Sequence, residues 1–386
     1  MIKTLTAHTN EIDDPKLAVE EILEQLDIKN SLLKNSVGII SCYPEFVDTG
    51  VVKALGQRLP FSLVGCTTLG NTVEGASGLM LLCLTVLTAD DVFFATAVSD
   101  PLEETGLEAI RKTYDEARGL LPGPVKLAVP FAPLYPYTMS GERFVKELDE
   151  AMAGIPIFGT LASDHVQDHT LNSAIYNGGS YKNCLSLLLI SGECEPKFFM
   201  ASIPEKKALS QRAKVTKSDG DVLIELNGMP FLEYMKQLDL SDGETFSVRQ
   251  TIPLMVDYCD GAQPLARAIY KLLPGGHALC GASMPLGAKV SVASFDYEDT
   301  LESAQNALDQ VIASGSTNGM LGFTCLSRSL VLGADMTAEL DLVQNQLSGK
   351  MLFHVCYSGG EICPVYDAEG QLKNRFHNFT FVACVF

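Results

Sequence analysis

Short apolar runs alternate along this chain with stretches of helical period, and the order recurs. Pro15 opens a helix with Asp14 as N-cap and Val19, Ile22, Leu23 and Leu26 along one face. A β-α-β unit follows: 36–41 reads as a buried strand, Val51, Val52, Leu55 and Leu59 stripe a helix, and 61–65 is the next strand. The apolar runs 79–87 and 92–98 predict an antiparallel pair turned at Asp90-Asp91. Leu107, Ile110, Tyr114 and Ala117 then mark a helix stopped by Pro122-Gly123-Pro124. The order repeats with a strand at 125–129, a helix striped by Phe144, Val145, Leu148 and Met152, a strand at 155–159, and paired strands at 185–190 and 198–203. A third unit closes the chain: a strand at 320–324, a helix capped by Asp335 and striped by Leu340, Val343 and Leu347, a strand at 351–356, and a last strand at 379–386.

The stretch before that third unit is less regular. Residues 214–216 and 222–226 predict a hairpin turned at Ser218-Asp219-Gly220, and Pro230 starts a short helix. Leu265, Ile269 and Leu272 predict a helix ending at Pro274-Gly275-Gly276; a strand at 290–295 and a helix carrying Leu301, Ala304, Leu308, Val311 and Ile312 follow. The fold class expected is α/β: two related domains of mixed sheets flanked by helices, built from repeated β-α-β units followed by strand pairs. The first would span 1–225, with internal halves at about 36–120 and 124–207, and the second 226–386.

Each unit's second β-α-β strand ends in a small-residue turn: Gly65-Cys66-Thr67-Thr68-Leu69-Gly70, Gly159-Thr160-Leu161-Ala162-Ser163-Asp164, and Cys356-Tyr357-Ser358-Gly359-Gly360-Glu361. Glycine permits close backbone approach, and hydroxyls add donors, so such turns suit either tight chain reversal or a ligand at the carboxyl ends of parallel strands.

Composition narrows the classes. The chain has 386 residues, 47% of them hydrophobic, enough for more than one core. A net charge of −19 disfavours phosphate backbones and anionic lipid, so no nucleic-acid or membrane partner is expected, and a small ligand or a protein fits better. Neither a leader nor a spanning segment is read, which points to a cytoplasmic chain. The 11 cysteines lack a C-x-x-C pair and mostly sit in apolar runs, as reduced buried thiols do. P-loop, dinucleotide, nucleophile-elbow and zincin patterns are missing.

Taken in order, Gly-Cys-Thr-Thr-Leu-Gly at 65–70, Phe158 to Asp164, Val215-Thr216-Lys217 leading to Glu225-Leu226-Asn227-Gly228-Met229-Pro230, Cys325-Leu326-Ser327-Arg328, Gly360-Glu361-Ile362 and His377-Asn378-Phe379-Thr380 resemble the FIST proteins, from about Val37 to the C-terminus. That resemblance implies a sensory module of FIST N and FIST C regions, not an enzyme. Its ligand would be a small molecule, amino acids being the usual suggestion, and some relatives carry haem and sense nitric oxide. The family is often fused to kinase, cyclase or chemotaxis outputs. No output region is read after Phe386, so signalling would pass to a separate partner of such a type.

The candidate ligand-binding residues are Cys66, Thr67, Thr68 and Gly70, Ser163 and Asp164, Cys325 and Arg328, Gly360 and Glu361, and Asn378. Arg328 would hold a ligand carboxylate bidentately, Glu361 an ammonium, and Asn378 would donate and accept; the alternative is an internal Arg328–Glu361 ion pair. Cys42, Cys66, Cys325 and Cys356 fall at strand ends, and a nucleophilic thiol with His354 or His377 would make a cysteine-dependent hydrolase or transferase, against the reading of buried fillers. Asp164-His165-Val166-Gln167-Asp168-His169 offers metal-ligand types without helical period, so it reads as a polar loop, and no catalytic or metal residue is assigned. His165, His169, His277, His354 and His377 are the formal axial candidates should haem be bound, though no cofactor is assigned.

Overall fold

The computed structural model describes residues 1–102, 106–134, 140–165, 170–240, 252–261, 263–367 and 369–386. Three units share one plan of strand, helix, strand, helix, strand, hairpin and strand. The first holds β1 (Lys3–Thr9), α1 (Pro15–Leu26), α2 (Ile28–Ser31), β2 (Asn35–Cys42), α3 (Glu45–Asp48), α4 (Val51–Arg58), β3 (Ser62–Thr67), the hairpin β4 (Asn71–Val73) and β5 (Ala76–Gly78), and β6 (Leu82–Ala89). The second holds β7 (Val92–Val98), α5 (Gly106–Gly119), β8 (Val125–Ala132), α6 (Gly141–Ala151), β9 (Gly159–Leu161), the hairpin β10 (Ala174–Tyr176) and β11 (Gly179–Tyr181), and β12 (Ser186–Gly192).

The third unit begins at β13 (Lys197–Ala201) and is interrupted by a β module: β14 (Ala213–Asp219), β15 (Val222–Leu226), β16 (Met229–Pro230), α7 (Phe231–Gln237), β17 (Leu254–Asp257), β18 (Leu265–Arg267), β19 (Ile269–Leu273), β20 (His277–Cys280) and β21 (Lys289–Val292). It resumes with α8 (Tyr297–Ala313), β22 (Met320–Cys325), α9 (Leu326–Leu332), α10 (Ala338–Leu347), β23 (Phe353–Ser358), the hairpin β24 (Gly360–Tyr366) and β25 (Leu372–His377), and β26 (Phe381–Val385).

The protein is thus α/β, with mixed sheets flanked by helices and built from repeated β-α-β units, as the periodicity predicts. In each unit the two crossover strands are parallel, β2 with β3, β8 with β9 and β22 with β23, and the closing strand returns antiparallel. The predicted pairs at 79–87 with 92–98 and at 185–190 with 198–203 do not form. β6 is already flanked by β1 and β2, while β7 pairs with β12; β13 likewise pairs with β26 in another sheet. Each expected pair is a link between sheets.

The hairpins are exchanged in a ring. β4 extends the third sheet along β23, β24 extends the second along β9, and β10 extends the first along β3. An isolated two-stranded hairpin is marginal at best in water, and each of these is held by a foreign sheet edge. That register draws the three glycine-rich turns together. The inner faces of all three sheets meet in one core containing Val64, Phe131, Phe158, Phe323 and Val382, while separate clusters lie beneath the helices. With both faces covered, β2, β6 and β23 are buried along most of their length, which explains their continuous apolar runs.

Local signals hold where they are self-contained. Asp14 caps α1 by accepting from the Lys16 and Leu17 amides, the β14–β15 hairpin turns at Gly220, and α7 starts after Pro230. The last predicted helix cap is displaced: Thr337 occupies it, and Asp335 lies in the preceding 3-10 turn. The helix predicted around Leu265 is instead β18 and β19, and Gly275 and Gly276 turn β19 into β20. Residues 265–269 are buried in succession, on both faces of the extended chain, so their spacing mimics a helical stripe.

Candidate functional site

The turn after β3 begins at Gly65, whose φ of +156° and closeness to the Ile40 carbonyl leave no room for a Cβ. Beyond it the three turns bond to one another. The Thr68 hydroxyl donates to Tyr357 O at 2.6 Å, the Tyr357 amide to Gly70 O at 2.9 Å, and the Ser163 amide to Thr67 O at 3.1 Å. The Ser163 hydroxyl also reaches Tyr357 O at 3.3 Å, and Thr160 donates to the Ser358 hydroxyl at 2.7 Å. Cys66, Thr67, Thr68, Gly70, Ser163 and Gly360 are therefore neighbours, all buried, with polar groups spent on each other. Asp164 accepts from the Leu171 amide and the Asn172 side chain, and Asn172 in turn accepts from the Leu134 amide at 3.0 Å.

At the carboxyl end of β22, Arg328 is fully buried. Its guanidinium binds Glu339 through Nε at 2.9 Å and Nη2 at 2.5 Å, and donates to Thr300 O, Ser303 Oγ and Phe379 O. Phe295 lies under it, 5.3 Å from the guanidinium carbon to the ring centroid. The internal ion pair weighed for Arg328 exists, but its partner is Glu339 rather than Glu361. The guanidinium faces its own chain on every side, which leaves little of it for a ligand carboxylate. Asn378 is similarly enclosed, donating to His377 O and lying against Gly281.

Glu361 points into the same interior. One carboxylate oxygen accepts from the Thr380 hydroxyl at 2.7 Å and the other makes no hydrogen bond. Burial drives its pKa up to about 8, against the opposing pull of the Thr380 and Ser358 hydroxyls and Arg328. Burial also pushes the Cys325 and Cys356 thiols up to about 12, and Cys66 rises well above its ordinary value. His354 sits between Ser41, at 2.5 Å, and Thr85, at 3.1 Å, and desolvation lowers it to about 3; His377 falls equally far for the same reason. Burial favours the neutral form of each of these groups, which opposes a thiolate at these cysteines. His165 is exposed and stacks on Tyr43 with centroids 5.0 Å apart; 166–169, with the rest of the metal candidate, lie outside the described residues. Among the described residues no cluster of three or more His, Cys, Asp or Glu has metal-binding geometry, and no helix is long and apolar enough to cross a membrane.

An open space lies one layer out, at the carboxyl ends of β8 and β9. A cavity of about 70 Å³ is lined there by Leu134, Ser140, Gly141, Leu161, Asp221, Tyr270, Leu279, Cys280, Gly281 and Phe376. Ser140 caps α6 by accepting from the Arg143 amide at 3.2 Å, so the helix start faces the space. Gly141 and Gly360 both lie flat against the Phe376 ring, where a Cβ would collide, which fixes that wall beside the third turn. The opposite wall belongs to the β module. Asp221, in the β14–β15 turn, accepts from Ser283 Oγ at 3.1 Å, and desolvation is the main cause that raises its pKa. The module docks beside the cavity through Arg267, which donates to Tyr258 OH at 2.7 Å, Phe376 O at 3.0 Å and Glu142 at 3.4 Å, and through an Arg375–Asp260 pair.

None of the described residues lining this cavity is among the sequence candidates, although Gly360 and Asn378 lie directly behind Phe376 and Gly281. A signal for part of it was present: Ser140-Gly141 is a cap directly ahead of a predicted crossover helix. Asp221 had none beyond its place in a turn.

The family model for the FIST N domain matches residues 36–229, and that for the FIST C domain matches 231–364. No curated protein matches the chain. Among solved structures, a cyanuric acid hydrolase from A. caulinodans is similar over 100% of this chain and 99% of its own, at 10% identity and a TM-score of 0.40, a likeness too distant to carry an argument.

Proposed function

The chain belongs to the FIST family, whose domains are associated with sensory small-ligand binding, and from that premise we propose that it binds a small molecule in the cavity between α6 and the β module. The observation that carries this reading is position. In sheets of parallel strands joined by helices, ligands collect outside the carboxyl ends of the strands, where the crossover helix begins. At the third of these ends the chain fills the space with its own Arg328–Glu339 pair, and at the first Tyr43 stacks on His165.

At about 70 Å³ the cavity is well below the roughly 300–1,000 Å³ of drug-sized sites, so its occupant is small, on the scale of an amino acid or a related carboxylate. None of the described histidines lines it, and a porphyrin is far too large for it, so haem sensing takes second place. The signal would be a change in how the module docks, because the wall holding Asp221 and Leu279 is the module's own. A separate partner of the kinase, cyclase or chemotaxis type would read that change.

A thermal-shift screen of amino acids, small carboxylates and small amines tests the reading. A ligand at about a hundred times its dissociation constant adds roughly 2.7 kcal/mol of stability. Leu279→Trp, at a half-buried wall position, should remove the shift while the ligand-free protein melts near its original temperature. A shift that survives this plug would place the ligand elsewhere.

A further inference from the structure

Among the described residues, one charged side chain lines the cavity, and it is an acid. Asp221 is half-buried, accepts a hydrogen bond from Ser283, and forms no ion pair among the described residues. Arg267 of the module is held by Tyr258, Glu142 and the carbonyls of Ala266 and Phe376. Glu142, on the first turn of α6, adds negative charge on the same side. The remaining walls, Leu134, Leu161, Leu279, Tyr270 and Phe376, are apolar or aromatic.

A carboxylate in such surroundings is desolvated without a counter-ion of its own. A ligand that brings a positive head and a short apolar or hydroxylated body supplies what it lacks. The space takes only a few heavy atoms, which suits an ammonium better than a planar guanidinium. A divalent cation would need several oxygen ligands, and the described lining offers one carboxylate.

We propose that the cavity recognises its ligand by a primary ammonium group held on Asp221, with the Ser140 hydroxyl as a neighbouring polar contact. This rests on the reading of the cavity as the ligand site and narrows it: the head group read is the cation, and a ligand carboxylate is secondary. Asp221 is then the anchor, carried by the β module, so ligand charge and module docking are linked through one side chain.

Matched pairs test it on the intact protein: glycine, ethanolamine and n-propylammonium beside their hydroxyl counterparts glycolate, ethylene glycol and n-propanol, followed by calorimetry and by thermal shift. At least one amine should bind and its counterpart should not. Asp221→Asn, which keeps the shape of the side chain and its bond from Ser283, should weaken the amine roughly ten- to a hundredfold, the worth of one charge-assisted hydrogen bond. Equal binding of an amine and its hydroxyl counterpart overturns the proposal, as does an unchanged affinity in Asp221→Asn. The wild-type pairs decide the matter even should that variant be unstable. Should only anionic or neutral compounds bind, with Leu279→Trp blocking them, the ammonium assignment fails and the site stands. Should nothing bind in the pairs or in the wider screen, both fail.

Discussion

The second and third units carry the same β-α-β geometry to opposite outcomes at their carboxyl ends. At β22 and β23 a buried arginine meets a buried glutamate, three further acceptors and an aromatic ring, and the end is sealed. At β8 and β9 the cap of α6 faces a module that lines the space with Asp221, which has no counter-ion among the described residues, and space remains. A strand end becomes a site only where its charges are left unmatched by the chain. Arginine at such an end is therefore an ambiguous sign, since its fork fits an internal carboxylate as well as a ligand's.

The largest effect that sharpens this contrast is on the sealed end. Arg328→Ala leaves the Glu339 carboxylate buried without its cation and should cost about 3–5 kcal/mol in urea unfolding. Arg328→Met combined with Glu339→Leu should recover most of that loss, because an apolar pair removes both desolvated charges. A single-variant loss under ~1 kcal/mol would show that charge matching does not hold this end shut.

Acid should act next, through the core. His354 and His377 have folded pKa values near 3 against 6.5 in the unfolded chain, so the unfolded state binds more protons between those limits. Stability should fall as pH drops from about 6.5 towards 3, with a slope approaching ~1.4 kcal/mol per pH unit for each histidine. His354→Gln, able to bond Ser41 and Thr85, should flatten part of that slope in denaturation curves taken across the range. An unchanged slope would mean that the histidine is not held neutral.

Glu361 works in the other direction. Its pKa rises from 4.5 to about 8 on folding, so the stabilising contribution of its protonated form is complete below 4.5 and lost as pH climbs through 8. Glu361→Gln should leave stability little changed at pH 5 and raise it relative to wild type at pH 9; a variant that tracks wild type at both values would argue against a neutral carboxyl. The smallest effect is on the thiols. In the native protein a thiol reagent should modify exposed Cys259 quickly and half-buried Cys194 slowly, with the nine buried thiols reacting only on unfolding. Rapid native modification of Cys66 or Cys325 would favour the cysteine-dependent enzyme.

The sequence alone determined the repeated β-α-β order, the buried strands, the small-residue turns and the family, because periodicity, caps and glycine act over a few neighbouring residues. It also placed Thr68, Ser163 and Gly360 at turns of one kind. What it left undecided was partnership across the fold. That Arg328 meets Glu339 rather than Glu361, that β6 and β7 part into different sheets, and that Leu265 to Leu273 are strands all depend on segments far apart in the chain. Asp221 is the sharpest case: an ordinary turn residue in sequence, it becomes a charge in a cavity only because the β module is laid against the start of α6. Spacing along the chain fixes which face a side chain takes, whereas the identity of what it faces is set by the docking of whole elements.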